Sequence, residues 1–212
     1  MKKKLGYTFI IITAVVGMLL LFNQSIANHM IITMTTNSLK QNIHKNKQKA
    51  VYNFDNVKNV DTTSVFKAVI NKDNENTPIG KISIPSVNIK LPIYLGLANN
   101  NLLSGVGTMI KGQKMGLNNY TLAGHHMKDN NLLFGPLSKV NVNHSIYITN
   151  GIHIYRYKIK LKKIINEYQT KWINENSKKP VITLITCATG NPGETNRIMI
   201  RGNLDKIYDY KK

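Results

Sequence analysis

The chain has a single cysteine. With Cys187 alone among 212 residues, no disulfide can close within the molecule, so even in an oxidising compartment this thiol is not a staple. Charge of either sign is missing from Leu5 to Phe22, where nothing is more polar than Tyr and Thr. As a helix this run would be about 27 Å long, close to the ~30 Å hydrocarbon thickness of a bilayer. Lys and Arg are also absent between Phe22 and Lys40, whereas Lys2, Lys3 and Lys4 precede the run. That asymmetry leaves the N-terminus in the cytoplasm and the remainder of the chain outside, and a run longer than a usual signal h-region predicts an uncleaved signal anchor. Ser25-Ile26-Ala27 has a small-x-small pattern and leaves a removed signal peptide as the alternative. No second apolar run near the C-terminus suggests another span, and no internal repeat is visible.

Glycine and proline are missing from Asn23 to Asn76, which is rich in Asn, Lys and Thr, with short apolar clusters at Val51 to Phe54 and Val65 to Ile70. The pattern reads as a partly helical stalk, with helix expected within Thr35 to Val51; packing on the following domain, or over its active site, is the other option. Acidic residues are few: 10 Asp and Glu against 29 Lys and Arg. Charge alone would admit a nucleic-acid partner. The export signal, the lack of any nucleic-acid motif and lysines that alternate with apolar residues in strand-like runs argue for a solvated face instead, so no nucleic acid is expected. Four segments result: a basic tail (1–4), a transmembrane anchor (5–22), an extracellular stalk (23–76) and a C-terminal domain (77–212).

What is present from Thr77 onward is strand chemistry. IGKISIP and VNIKLPIY give two short strands separated by Pro85 and Ser86, and Leu102 to Gly107 starts as a helical turn before another strand. Asn119 to Ala123 is a strand leading to Gly124, His125 and His126. Ser145 to Ile165 carries a hairpin signal, with alternating residues on both sides of Asn150-Gly151. Glu167 to Lys179 is polar with one tryptophan, a loop suited to border a groove. Many short strands and little helix favour a closed barrel, an all-β domain.

The stretch Pro180 to Gly202 organises the rest. Val181 to Cys187 is β-branched and apolar behind a proline, Ala188 to Thr195 is loop chemistry, and Asn196 to Gly202 resumes a strand. If the two strands pair antiparallel, Arg197 lies beside Cys187. A thiol becomes a nucleophile when a neighbouring cation stabilises its thiolate, and a guanidinium can hydrogen-bond the oxyanion of acyl transfer. The general acid and base has to come from elsewhere, and YTLAGHHM supplies His125 and His126, of which only one can face the thiol because consecutive strand residues point to opposite sides. By the same rule Ala123 shares a face with His125, and Ile185 shares one with Cys187. His29, His44, His144 and His153 belong to no such constellation.

TLAGH ending at His125, TLITC ending at Cys187, Arg197 ten residues later, LLFGPL at Leu132 to Leu137 and the closing RIMIRG together resemble the sortases, class A in particular. The resemblance spans roughly Ile79 to Tyr208. It implies an eight-stranded β-barrel and a cell-surface cysteine transpeptidase of Gram-positive bacteria, with Cys187 as nucleophile, His125 as acid and base, and Arg197 as oxyanion and substrate ligand. His125 is preferred over His126, and Arg197 over Arg201, by motif position. Ala123, Ile185 and Thr186 are implied to line the sorting-signal pocket, a role that overlaps with ordinary barrel core. The expected substrates are surface proteins bearing a Leu-Pro-x-Thr-Gly (LPXTG) signal, cleaved between Thr and Gly, and the acceptor is the amine of a lipid II-type peptidoglycan precursor. Some family members are activated by calcium bound to acidic residues before TLAGH, but Gly105 to Asn119 has no carboxylate, so no metal and no cofactor is expected. A pilin polymerase, a hydrolase or a non-catalytic anchored binding module are the alternatives.

Overall fold

The computed structural model describes residues 2–43, 50–52, 60, 62–70, 77–175, 177–191 and 193–210. Parts of the expected stalk, including His44 and the end of the Val51 to Phe54 cluster, lie outside these residues. Among the described residues eight strands close into a barrel: β1 (Gly80–Ile84), β2 (Ile89–Tyr94), β3 (Val106–Thr108), β4 (Asn119–Ala123), β5 (Ser145–Thr149), β6 (His153–Asn166), β7 (Val181–Cys187) and β8 (Asn196–Asp209). Their order around the barrel is β1-β2-β3-β4-β7-β8-β6-β5, and β5 pairs with β1 to close it. Each of these strands is paired on both sides over at least part of its length, and closure of this kind reduces the open sheet edge that invites aggregation.

The expected elements map onto this barrel. Asn150-Gly151 turns the β5–β6 hairpin, with Gly151 at φ +82°. The Asn150 side chain accepts from the backbone N–H groups of Ile152 and His153. In β6, Tyr155, Tyr157 and Ile159 are buried while Lys158 and Lys160 are exposed, the period-two alternation of a strand with one wet face. β8 is longer than the sequence suggests: it continues past Gly202 to Asp209 because it pairs with β6 along its whole length, across two register shifts. Gly202 had read as the end of a strand. Here it sits where a Cβ would meet the Lys158 carbonyl at 3.1 Å.

β7 is buried from Val181 to Thr186 because both of its faces are covered. Ile182 and Leu184 point into the barrel with Leu122, Phe134, Tyr157 and Ile200. Ile185 points outward into a smaller cluster with Leu97, Met109, Ile165 and Met199, against which Ala123 and Trp172 pack. Each fully buried Leu or Ile contributes about 1.5–3 kcal/mol. The outer cluster is roofed by the β6–β7 connection, which contains α4 (Lys171–Asn174). Asn119 pins that roof: its Nδ2 donates to the carbonyls of Trp172 and Ile173 at 2.8 and 3.1 Å, while its Oδ1 accepts from Thr183.

The N-terminal part forms α1 (Lys2–Lys40) and α2 (Thr62–Ile70), joined by a segment only partly described. The second half of α1 packs on the barrel. Ala27, Ile31 and Ser38 are buried, Met34 packs beside them, and this four-three-four spacing is one helix face. Thr35 donates to the Ser104 carbonyl at 2.9 Å. At residue 51 the carbonyl accepts from Leu97 N–H at 2.7 Å. No single helix among the described residues is long and apolar enough to cross a membrane. Tyr7–Met18 and Leu20–Lys40, bent by 50°, would do so together by length and composition.

Candidate active site

β4 and β7 run parallel and in register, with Ala123 opposite Ile185. The residues that leave their C-terminal ends therefore emerge at one rim. The ladder extends past β4: Gly124 N–H donates to the Ile185 carbonyl at 3.2 Å, and Thr186 Oγ1 donates to the Gly124 carbonyl at 2.8 Å. Beyond Gly124 the chain is stitched to LLFGPL. The His125 carbonyl accepts from Phe134 N–H at 3.0 Å, and His126 forms an antiparallel bridge with Leu133. Gly124 is needed for this closeness, since a Cβ there would stand 2.8 Å from the Phe134 ring.

His125 and Cys187, both half-buried, line one cavity of about 280 Å³. Arg197 is the cross-strand partner of Cys187 in the β7–β8 pairing, as the antiparallel reading requires. Its guanidinium is already engaged: it donates to the carbonyls of Glu194 and Asn196 and pairs with Glu167 Oε2 at 2.5 Å. Arg201 makes the corresponding pair with Glu175, also at 2.5 Å, and lies over the Trp172 ring. The two arginines of β8 are thus held by two carboxylates of the β6–β7 connection.

Electrostatics keep the resting site neutral. Burial pushes the Cys187 thiol above its usual range; Arg197 pulls it down, and the nearby Glu194 and Glu167 push it up again. Desolvation alone lowers His125 to about 4, because its surroundings favour the uncharged ring even though one edge stays open. At neutral pH the pair is therefore thiol and neutral imidazole.

His126 takes a different part. It is buried, its Nδ1 donates to the Cys187 carbonyl at 2.8 Å, and its Nε2 lies 2.9 Å from the Asn130 side-chain amide. One ring nitrogen braces the backbone at the thiol and the other is tied to the Asn130 side chain, so among the described residues His125 is the histidine with a free ring in the cavity. Sequence reasoning treated His126 only as a rival and missed this brace. Glu167 was missed as well; its sole signal was position, one residue beyond β6 and next to the rim. Of the remaining candidates, Ala123 and Ile185 lie side by side in the outer cluster under the β6–β7 roof. The Thr186 hydroxyl is spent on the Gly124 carbonyl. His144 and His153 lie outside the cavity, where the His144 ring accepts from Asn141 N–H and His153 faces Asp209. Among the described residues no three His, Cys, Asp or Glu side chains gather as metal ligands.

The loop after Cys187 touches the His125 segment through backbone. A Cβ on Gly190 would fall 2.5 Å from the carbonyl carbon of Met127 and 2.6 Å from the nitrogen of Lys128. Neither backbone can yield without moving Cys187 relative to His125. Gly190→Ala is expected to destabilise the domain by about 1–3 kcal/mol and to lower turnover more than substrate affinity. Thermal melting together with steady-state kinetics checks this.

A β-barrel with a thiol and an imidazole sharing a rim cavity, and a guanidinium across the strand from the thiol, has the parts of a cysteine acyl-transfer enzyme. The sortase-domain family model matches residues 82–205, and the chain belongs to the sortase family. It is a cysteine transpeptidase that anchors surface proteins, and its relatives are of the sortase A kind. It is 38% identical to sortase A of Listeria monocytogenes over 94% of this chain and 91% of that protein. It is 34% identical to sortase A of Streptococcus agalactiae over 99% and 91%. The crystal structure of the Listeria enzyme superposes with a TM-score of 0.61 at 39% identity, covering 64% of this chain and 92% of that one.

Proposed function

We propose that the chain is a membrane-anchored sortase A-type transpeptidase that cleaves an LPXTG signal between Thr and Gly and passes the acyl group to the amine of a lipid II-type cell-wall precursor. The observation that carries this reading is the shared cavity of Cys187 and His125 beside Arg197. Cys187, the only cysteine, is the thiol such an enzyme requires. His125 removes its proton as sulfur attacks the Thr carbonyl, and Arg197 donates to the oxyanion. The tetrahedral intermediate collapses to a thioester, and His125 returns the proton to the departing glycine amine. A second amine, deprotonated by His125, then attacks the thioester and releases the thiol. Ala123 and Ile185, under the β6–β7 roof, supply an apolar floor for the signal, and Thr186 fixes the turn that presents His125. The apolar half of α1, with three lysines before it, is the anchor.

The direction of the two shifts fixes the pH dependence. The reactive microstate is thiolate with imidazolium. When the thiol pKa lies above the imidazole pKa, the fraction of this ion pair is constant between the two values and falls outside them. kcat/KM is therefore expected to be flat from about pH 4 up to the raised thiol range, falling in acid as the thiolate is lost and in alkali as the imidazolium is lost. A steep rise centred near pH 6.5, the ordinary imidazole value, would contradict the assignment. Function is tested by incubating the full chain with an LPXTG peptide and an amine, with and without a calcium chelator. The transpeptidation product is expected in both arms.

A further inference from the structure

The anchor reading leaves open how high above the membrane the catalytic cavity sits. A flexible stalk between residues 23 and 76 would let it roam. α1 instead continues from the apolar run directly onto the barrel. The large apolar side chains described between Tyr7 and Phe22 are 48% to 83% exposed, a surface far larger than the few hundred Å² a soluble protein leaves to water. Uncharged over a span of bilayer length, it fits lipid. From Ala27 onward the same helix is buried against the barrel, held by Thr35 at the Ser104 carbonyl and by Asn28 Nδ2 at 3.5 Å from Asp129 Oδ2.

Gln24 lies between these two regimes, two residues past Phe22, and it lines the cavity that holds Cys187 and His125. Two helical residues rise about 3 Å, whereas the polar layer on each side of the hydrocarbon core is roughly 5–8 Å deep. The 50° bend between Tyr7–Met18 and Leu20–Lys40 lies beside Gly17, where a helix bends readily. The exposed Lys128 and Asn191 line the same cavity, and Lys128 has the sign that anionic lipids attract.

We propose that the bilayer surface is the docking partner of the catalytic face: α1 is a continuous mount that holds the Cys187 cavity at the level of the lipid headgroups. The inference rests on the anchor reading above and adds a fixed height and orientation to it. An acceptor amine tethered in the same bilayer then meets the thioester at its own depth.

Because Cys187 is the only thiol, a fluorescent maleimide reports on the cavity without any other substitution. The full chain is reconstituted in phosphatidylcholine–phosphatidylglycerol vesicles, floated on a density gradient and labelled. Lipids carrying a nitroxide on the headgroup are expected to quench the probe strongly, and lipids labelled at mid-chain weakly. A second variant carries eighteen extra helical residues between Phe22 and Asn23, five turns and about 27 Å. It should still float and should lose the headgroup quenching. Flotation without headgroup quenching, or quenching that survives the insertion, would overturn the fixed mount and leave the anchor standing. Failure to float would overturn both.

Discussion

Cys187→Ala is expected to abolish transpeptidation by at least about 10⁴-fold, the scale on which removing an enzyme nucleophile acts, while leaving the barrel folded. Cys187 ends β7 half-buried, and its side chain belongs to neither apolar cluster. The lost volume therefore costs little beyond the ±0.5 kcal/mol typical of substitutions away from special features. Its carbonyl, the part that His126 braces, is untouched by the change. Circular dichroism and melting should match the parent chain, so loss of product reports on chemistry alone.

His125→Ala and His126→Ala should separate cleanly although the two residues are adjacent. Removing His125 deletes the one imidazole with a free ring in the cavity among the described residues, and loss of the general acid and base proposed for it costs typically ~10² to 10⁴ in rate. Stability should rise slightly or hold, because a desolvated ring gives up little by leaving. The flat pH profile should vanish with it. His126→Ala strands a part-buried carbonyl at Cys187, which costs up to about 1–3 kcal/mol, or a few degrees of melting temperature for a domain of this size. Its residual activity should keep the parent's pH profile, since the titrating pair remains. If the two variants behaved alike in both rate and melting, the division of labour between the rings would be wrong.

The geometry of the candidate site was legible because it is encoded locally. TLAGH and TLITC are strand-to-loop junctions, and period-two alternation places Ala123 with His125 and Ile185 with Cys187 without any tertiary information. The antiparallel pairing of β7 and β8 followed from a short loop between two strand patterns, and Arg197 falls opposite Cys187 as a consequence. What could not be read depends on distant partners. The brace from His126 exists only because β4 and β7, far apart in sequence, run parallel and in register. The Glu167–Arg197 pair requires β6 and β8 to end together, as Asn166 opposite Asn196 makes them do.

The docked half of α1 was hidden for another reason. Ala27, Ile31, Met34 and Ser38 form its buried face, but the positions around them, Ile26, Met30 and Ile32, are apolar too, so no stripe stands out along the helix. A glycine-free stretch rich in Asn, Lys and Thr reads as a partly helical stalk, with packing on the domain as the other option, and its contact with the barrel is decided by complementary surface on β2 and around Ser104. The span itself was read from its missing charges. The 50° bend within it could not be, because Gly17 is a common residue in apolar helices.

Intact mass spectrometry of the full chain tests the central claim most directly, with an LPXTG peptide present and no amine acceptor. The account predicts a single adduct equal to the peptide truncated after Thr, carried on Cys187, released by hydroxylamine as a thioester would be, and absent from Cys187→Ala. A folded protein that forms no adduct, or an adduct that persists in Cys187→Ala, would contradict it.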